Sequence, residues 1–126
     1  MTVEFTLPYP INQRQKASFC RQFGLNSIYA GKHWAARNED KKFWMHLVAV
    51  ELKRQQVPER YFDRPVRIMF GWDDGLDIDN HAYMGKMIVD ALKGHLLKDD
   101  SRKYLVSVAH EFRQDGCITV RISDEE

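Results

Sequence analysis

The segment from Gly75 to Asn80 constrains this chain most, because it concentrates acidic side chains at the start of a short helix-like run. It reads Gly-Leu-Asp-Ile-Asp-Asn, and a second acidic pair, Asp99-Asp100, follows the run. A fold that brings both ends of this run to one sheet edge would gather the carboxylates of Asp77, Asp79 and the later pair. Like charges within a few Å raise one another's pKa and oppose folding. A divalent cation such as Mg²⁺ or Mn²⁺ relieves that repulsion, so the pattern predicts a metal site.

The Asp77-x-Asp79 spacing leaves more than one interpretation open. The two residues follow a predicted strand, where an extended backbone directs alternate side chains to one side. Acidic turns and helix caps also use this spacing. An EF-hand calcium loop is excluded, because its sixth and twelfth positions require Gly and Glu. Counted from Asp77, this chain has Ala82 and Ile88 at those positions.

Length and composition indicate one globular domain over residues 1–126, long enough to bury a core. Hydrophobic residues make up 44% of the chain and charged residues 29%, both near the averages for globular proteins. No apolar run approaches the ~20 residues that span a bilayer, and the N-terminus lacks a signal-peptide pattern. Cys20 and Cys117 are isolated, which favours reduced thiols. We therefore expect a cytoplasmic protein without a membrane partner.

The charge is unevenly distributed along the chain, although its net value is only +1. Residues 1–70 contain 12 Lys and Arg against 6 Asp and Glu, whereas residues 71–126 contain 7 against 12. A basic half beside an acidic half suits a protein that binds phosphate on one surface and metal on another. An ordinary surface of mixed ion pairs is the alternative.

The periodicity of the sequence predicts an α+β fold with the order β-α-β-α-β-β, a mixed sheet and two packing helices. The predicted strands are Val3–Leu7, Pro65–Trp72, Tyr104–Phe112 and Cys117–Ile122, and the predicted helices are about Glu39–Gln56 and His81–Lys93. Asn38 is the predicted cap of the first helix, and Asp79 or Asn80 that of the second. A turn at Gln114-Asp115-Gly116 predicts that the last two strands form an antiparallel hairpin.

The stretch from Ile11 to Arg37 has no clean period and is predicted to be a long connection, which in a compact domain is usually functional or mobile. Basic and aromatic side chains interleave near its end, as in segments that contact a nucleic-acid backbone. The alternative is that Tyr29 and Trp34 simply attach this loop to the core.

Three short motifs in this order resemble the signature of the RusA family of Holliday junction resolvases. They are Asp77-Ile78-Asp79-Asn80, Lys86 placed four residues before Asp90-Ala91-Leu92, and Asp99-Asp100-Ser101. Thr6–Pro10 is similar to the opening strand and proline pair of the family, and Leu25-Asn26-Ser27 to its Asn-containing loop. The segment Ile28–Trp34, with Arg37, resembles a phage-type branch. The resemblance covers most of the chain and implies a RusA-like fold.

The resemblance implies a Mg²⁺-dependent, structure-selective endodeoxyribonuclease that resolves four-way (Holliday) junctions by paired nicks during DNA recombination and repair. Mn²⁺ is an alternative metal, and no small-molecule cofactor is expected. The implied metal-binding residues are Asp77, Asp79 and Asp100, with Asp99 beside them, and the implied catalytic lysine is Lys86. The residues expected to contact DNA are Asn26, Lys32, His33 and Arg37. A homodimer with two-fold symmetry, also implied, would place one active site on each of two strands.

Two features differ from the family pattern. Lys86 follows Asn80 by six residues, where the family usually has three; in an α-helix three residues correspond to about 300° of rotation and about 4.5 Å of rise. If the extra residues form an added first turn, Lys86 still reaches the site; otherwise it is only an i,i+4 partner of Asp90. Asp73 and Asp74 also precede the motif, where basic residues are common. Their negative charges would weaken the approach of a phosphate group, or one of them would contribute an outer-shell ligand to the metal.

Two alternatives to a nuclease remain open, and the first follows from the added residues before Lys86. The chain could be a catalytically impaired relative that binds branched DNA without cleaving it. It could also be a metal-independent interaction protein whose carboxylates only cap helices and face solvent.

Overall fold

A four-stranded mixed sheet organises residues 1–125, the part of the chain that the computed structural model describes. The strands are Thr2–Pro8 (β1), Val66–Trp72 (β2), Leu105–Phe112 (β3) and Cys117–Ser123 (β4), and the helices are Gln13–Phe23 (α1), Asn26–Tyr29 (α2), Trp34–Arg54 (α3) and Ala82–Leu92 (α4). A 3₁₀ turn, Ile78–His81, leads directly into α4. The predicted α+β class with a mixed sheet is confirmed.

The strands lie in the order β1-β4-β2-β3. β4 is antiparallel to both β1 and β2, whereas β2 and β3 are parallel. The predicted β3–β4 hairpin is therefore wrong, because β2 lies between these two strands. The connection crosses the end of β2: Arg113 N–H donates to Trp72 O at 2.8 Å, and Gly116 N–H donates to an Asp73 carboxylate oxygen at 2.7 Å.

The prediction that residues 11–37 form an irregular connection is also wrong, because α1, α2 and the start of α3 occupy most of this stretch. Asn12 starts α1: its side-chain oxygen accepts hydrogen bonds from Arg14 N and Gln15 N, at 2.8 and 3.2 Å. Only Phe19 and Phe23 of α1 are buried. Two aromatic side chains four residues apart are too few to give a visible helical period.

The helix α3 begins five residues before its predicted start. His33 caps it, because its Nδ1 accepts a hydrogen bond from Ala35 N at 3.1 Å. The cap predicted at Asn38 is wrong, since that residue already lies inside the helix. The other predicted helix is confirmed within one residue at each end, and Gly94 follows it with a φ of +85°, as a glycine at that position is expected to do.

The core lies between the helices and the adjacent face of the sheet. α3 packs against α4 and β1, and α4 lies against β2, where Gly85 approaches the Phe70 ring. The largest fully buried side chains include Trp44 and Leu52 of α3 and Met84, Ile88 and Leu92 of α4. Each large apolar side chain that is removed from water contributes about 1.5–3 kcal/mol. None of the helices within residues 1–125 is long and apolar enough to cross a membrane.

We expect the substitution Ile88→Ala to lower the free energy of unfolding by about 2–5 kcal/mol, because it removes buried methyl groups and leaves a cavity. Ile88 is fully buried on α4. Urea unfolding followed by tryptophan fluorescence measures the change. Ile11→Ala is the matched control, since Ile11 is fully exposed and the same atoms are removed. Equal losses in the two variants would contradict the placement of α4.

Candidate functional site

The acidic turn, defined as residues Asp77–Asn80, lies between the end of β2 and the start of α4. Asp77 has an extended backbone, and the 3₁₀ turn begins at the next residue. Asp77 and Asp79 are both exposed. Neither the 3₁₀ turn nor α4 receives a hydrogen bond from a capping side chain. The prediction that Asp79 or Asn80 caps α4 is therefore wrong. The carboxylates of Asp77 and Asp79 both face solvent.

Asn80 connects the acidic turn to the start of α2. Its side-chain oxygen accepts a hydrogen bond from Asn26 N at 2.8 Å, and its backbone oxygen accepts one from Leu25 N at 3.0 Å. Neutral hydrogen bonds of this kind each contribute about 1 kcal/mol to stability. The Asn-containing loop that the sequence motifs single out is thus held against the acidic turn.

The aromatic and basic residues from the end of α2 to the start of α3 are mostly accessible. Tyr29 is 79% exposed and Trp34 66% exposed, so the alternative that these rings attach a loop to the core is wrong. His33 and Arg37, at the start of α3, are also exposed. Trp34 lies close to His33, with 5.7 Å between the two ring centroids.

Lys32, the remaining basic residue predicted to contact DNA, is engaged inside the protein. Its ammonium forms an ion pair with Asp40 and donates to Gln22 O at 2.6 Å, and its side chain is only 13% exposed. Asp40 is itself buried and also accepts a hydrogen bond from the Tyr83 hydroxyl at 2.8 Å. Burial and this hydrogen bond raise the pKa of Tyr83. Lys32 therefore joins α3 to α1 rather than facing solvent, and Asp40 joins α3 to α4.

Lys86 and Asp100 meet beside α4. The Lys86 ammonium lies 3.0 Å from an Asp90 oxygen and 3.5 Å from an Asp100 oxygen. Lys93 contacts the same two carboxylates, each at 3.3 Å. The hydrogen bond from Lys93 and the charges of both lysines lower the pKa of Asp100. Lys86 is therefore both an i,i+4 partner of Asp90 and a neighbour of the predicted metal-binding aspartate.

A cavity of about 280 Å³ lies between α4 and β3, next to this contact. Its lining residues are Ala82, Gly85, Lys86, Val89, Asp100, Leu105, Val108 and His110. Ala82 N–H donates to the backbone oxygen of Asp79, so the acidic turn lies one helical turn from the cavity wall. Mostly apolar walls with a few polar groups are typical of a ligand site.

The predicted metal ligands do not form one coordination set in this arrangement. Within residues 1–125, no three His, Cys, Asp or Glu side chains are grouped closely enough to hold one ion. The Asp100 carboxylate faces two ammonium groups instead, and Asp99 beside it is exposed. Carboxylate oxygen is the right ligand chemistry for Mg²⁺, but these side chains do not fit a bound ion as they stand.

A buried polar network lies beneath the acidic turn, and no pattern in the sequence indicates it. Asp74 accepts hydrogen bonds from the Tyr9 hydroxyl at 2.7 Å and from His81 Nε2 at 2.8 Å. The other ring nitrogen of His81 lies 2.9 Å from Ile78 O. Burial raises the pKa of Asp74, but the hydrogen bonds from His81 and Tyr9 outweigh it, so the pKa lies below the ordinary value.

This network decides the role of the two aspartates before the motif. The Asp74 side chain is fully buried, so it neither repels phosphate at the surface nor binds a ligand. Asp73 accepts a hydrogen bond from Gly116 N, in the connection that crosses β2. Tyr9, in the segment similar to the proline pair of the RusA family, is the one partner that the sequence motifs could have indicated.

The chain was also compared with known proteins. No model of a protein family matches it, and a search of curated proteins finds no similar sequence. The functional assignment therefore depends on the sequence motifs and on the placement of their side chains.

We expect the stability of the protein to fall as the pH decreases through about 4, partly because of Asp74. Its folded-state pKa lies below the ordinary value of 3.8, so its contribution is present above that pH and is lost below it. Urea unfolding between about pH 5 and pH 3 measures this slope. Asp74→Asn removes the titrating group and should flatten the slope.

The control for this prediction is Asp63→Asn, at an exposed aspartate. It should keep the slope of the wild-type protein. We also expect Asp74→Ala to lower the free energy of unfolding by about 3–5 kcal/mol, since it leaves a buried ion-pair partner uncompensated. A loss below about 1 kcal/mol would show that Asp74 is not part of a buried network.

Proposed function

We propose that the chain is a Mg²⁺-dependent, structure-selective endodeoxyribonuclease that resolves four-way DNA junctions by paired nicks, as its RusA-like motifs imply. One observation carries the proposal: the Lys86 ammonium lies 3.5 Å from Asp100, and both side chains line one cavity. The two residues come from separate motifs, so their meeting supports the roles that the motifs assign to them.

The acidic residues of both motifs would provide carboxylate oxygens to Mg²⁺ or Mn²⁺, hard cations that prefer such ligands. Coordination by Asp100 requires that its oxygen exchange the lysine contacts for the ion. A positive group fixed beside the phosphate balances the charge that develops on its oxygens during hydrolysis. Lys86 would supply this group, and its exposure of 58% and its position at the border of the cavity support that role.

The surface around α2 and the start of α3 is the proposed DNA-binding surface. Exposed aromatic rings stack on bases, a contact worth about 1–3 kcal/mol per base, and Tyr29 and Trp34 offer two such rings. His33 and Arg37 add polar and cationic groups, and Asn26 lies on the helix that Asn80 joins to the acidic turn. DNA bound at this surface would lie close to the acidic turn.

A reducing compartment suits the isolated thiols of Cys20 and Cys117, which form no disulfide within residues 1–125. We accordingly place this activity in the cytoplasm, in recombination and repair of DNA.

Binding of branched DNA without cleavage is the second candidate function. The separation of the predicted ligands favours it, since residues 1–125 contain no group of three metal-binding side chains. The contact of Lys93 with Asp100 supports the same candidate, because it occupies a carboxylate that a nuclease would use.

We expect Lys86→Ala to lower the rate of nicking of a synthetic four-way junction by about 100-fold in Mg²⁺, the effect of removing one group that stabilises transition-state charge. Exposed ion pairs contribute little to stability, so the variant should unfold at the wild-type urea concentration. Asp77→Asn and Asp100→Asn should also lose nicking. End-labelled strands resolved on a denaturing gel report the cleavage.

Lys93→Ala is the matched control. Lys93 contacts the same two carboxylates as Lys86, but it is not among the residues that line the cavity. It should retain nicking within about tenfold of wild type, since only the shared ion pair is removed. Junction binding without cleavage by the wild-type protein would support the second candidate. Loss of both binding and cleavage would favour a metal-independent interaction protein.

The proposal includes a homodimer, and β3 is the element that could form its interface. β3 is an edge strand, and its Val106 and Phe112 side chains are 48% and 55% exposed. An exposed apolar edge is a template for pairing with another strand. Two copies of β3 that pair antiparallel would generate the two-fold symmetry that paired nicks require.

We expect Val106→Lys to convert the dimer into a monomer, because lysine on an edge strand opposes pairing. Light scattering coupled to size-exclusion chromatography gives the mass. Val50→Lys, at a valine of similar exposure on α3, should leave the mass unchanged. A monomeric wild-type protein, or a dimeric Val106→Lys variant, would contradict this interface.

A further inference from the structure

His110 lies in the cavity beside α4, although none of the sequence motifs includes it. It is half-buried on β3, and its ring stacks on Phe70 with 5.4 Å between centroids. The same cavity is lined by Lys86 and Asp100. His110 is therefore a third polar side chain at the place where the motif residues meet.

A hydrogen bond from Trp72 determines which ring nitrogen of His110 carries the proton. The indole Nε1–H of Trp72 lies 3.0 Å from His110 Nδ1. An indole nitrogen can only donate, so Nδ1 must accept and the ring proton must sit on Nε2. Burial and the nearby charge of His81 lower the pKa of His110, which keeps the ring neutral. Within residues 1–125, Trp72 is the hydrogen-bond partner of the His110 ring. The Nε2–H group of His110 therefore remains available to donate to a ligand.

Gly85 allows α4 to approach this ring. A Cβ atom at position 85 would lie 3.0 Å from His110 Cε1 and 3.3 Å from the Phe70 ring. Real Cβ atoms seldom approach other atoms so closely, so the glycine makes room for the histidine at the cavity wall. The position of the ring is thus set from two sides, by Trp72 and by α4.

We propose that His110 contacts the substrate phosphate, with its Nε2–H donating a hydrogen bond to a non-bridging oxygen of the phosphodiester that Lys86 binds. This inference rests on the proposed nuclease function and adds a residue to its site. Apolar walls on the same cavity, among them Val89 and Leu105, lower the local dielectric constant and strengthen such a bond. His110 transfers no proton in this role, because a neutral imidazole holds its remaining proton firmly.

Two substitutions separate this role from simple packing. In His110→Asn, the side-chain oxygen replaces Nδ1 as the acceptor for Trp72 but the distal N–H is lost. In His110→Gln, the amide nitrogen reaches the former position of Nε2 and restores that donor. We expect the Asn variant to nick four-way junctions about 100-fold more slowly, the cost of one lost donor, and the Gln variant to recover most of this loss. The reverse order would overturn the proposal.

A second measurement does not depend on cleavage. Nitrogen-15 NMR of the histidine side chains should find His110 with its proton on Nε2. Titration with diethyl phosphate, a simple phosphodiester, should shift that signal saturably in the wild-type protein and not in Lys86→Ala. His46, exposed on α3, serves as the internal reference. An unmoved His110 signal would overturn the proposal.

The two measurements distinguish failure of this inference from failure of the proposed function. A saturable shift of His110 in a protein that does not nick junctions would support the phosphate contact and reject the nuclease. Nicking that is equally fast in wild type and His110→Asn would keep the nuclease and reject the contact.

Discussion

The buried carboxylate of Asp74 is the interaction on which the geometry of the candidate site depends. It receives hydrogen bonds from Tyr9, after β1, and from His81, at the end of the 3₁₀ turn. The His81 ring in turn stacks on Trp72 at the end of β2, 4.5 Å away. One side chain thus joins three segments that are distant in sequence. A charge that is removed from water in this way is stable only while its partners remain in place, so the network favours one conformation of the acidic turn.

A second buried carboxylate fixes the surface proposed to bind DNA. Asp40 accepts from Tyr83 of α4 and pairs with Lys32, which precedes α3. Together with the hydrogen bonds of Asn80 to the start of α2, this places the exposed aromatic residues relative to the acidic turn. These buried contacts therefore fix the proposed DNA-binding surface and the acidic turn relative to each other, although both are open to solvent.

The sequence predicted the elements whose residues repeat with a clear period, and it failed where a few side chains decide the structure. All four strands and α4 follow from alternation or helical spacing. α1 was missed because Phe19 and Phe23 alone carry its buried face. The hairpin was wrongly predicted because turn residues mark a change of direction and do not identify the neighbouring strand. The strand next to β3 is β2, which is parallel to it and is connected to it through α4.

The candidate site was predictable as a set of residue types but not as a geometry. The motifs indicated Lys86 and Asp100, which do meet. They could not indicate His110, because the role proposed for it depends on a hydrogen bond from Trp72 on the adjacent strand. Nor could the acidic sequence Asp73-Asp74 show that its second carboxylate is buried. Burial of a charged residue depends on partners that only the folded chain brings together.

The first turn of α4 explains how Lys86 reaches Asp100 despite three extra residues. Of the five residues between Asn80 and Lys86, only His81 belongs to the 3₁₀ turn, and the other four, Ala82–Gly85, form the start of α4. An α-helix has 3.6 residues per turn, so Lys86 lies on the same face as Ala82, about one turn further along. Both residues line the cavity beside α4. Asp100, which follows the end of α4, reaches the same cavity and lies 3.5 Å from the Lys86 ammonium. The meeting of Lys86 and Asp100 therefore depends on the length of α4 and on the return of the chain after it, and not on the acidic turn.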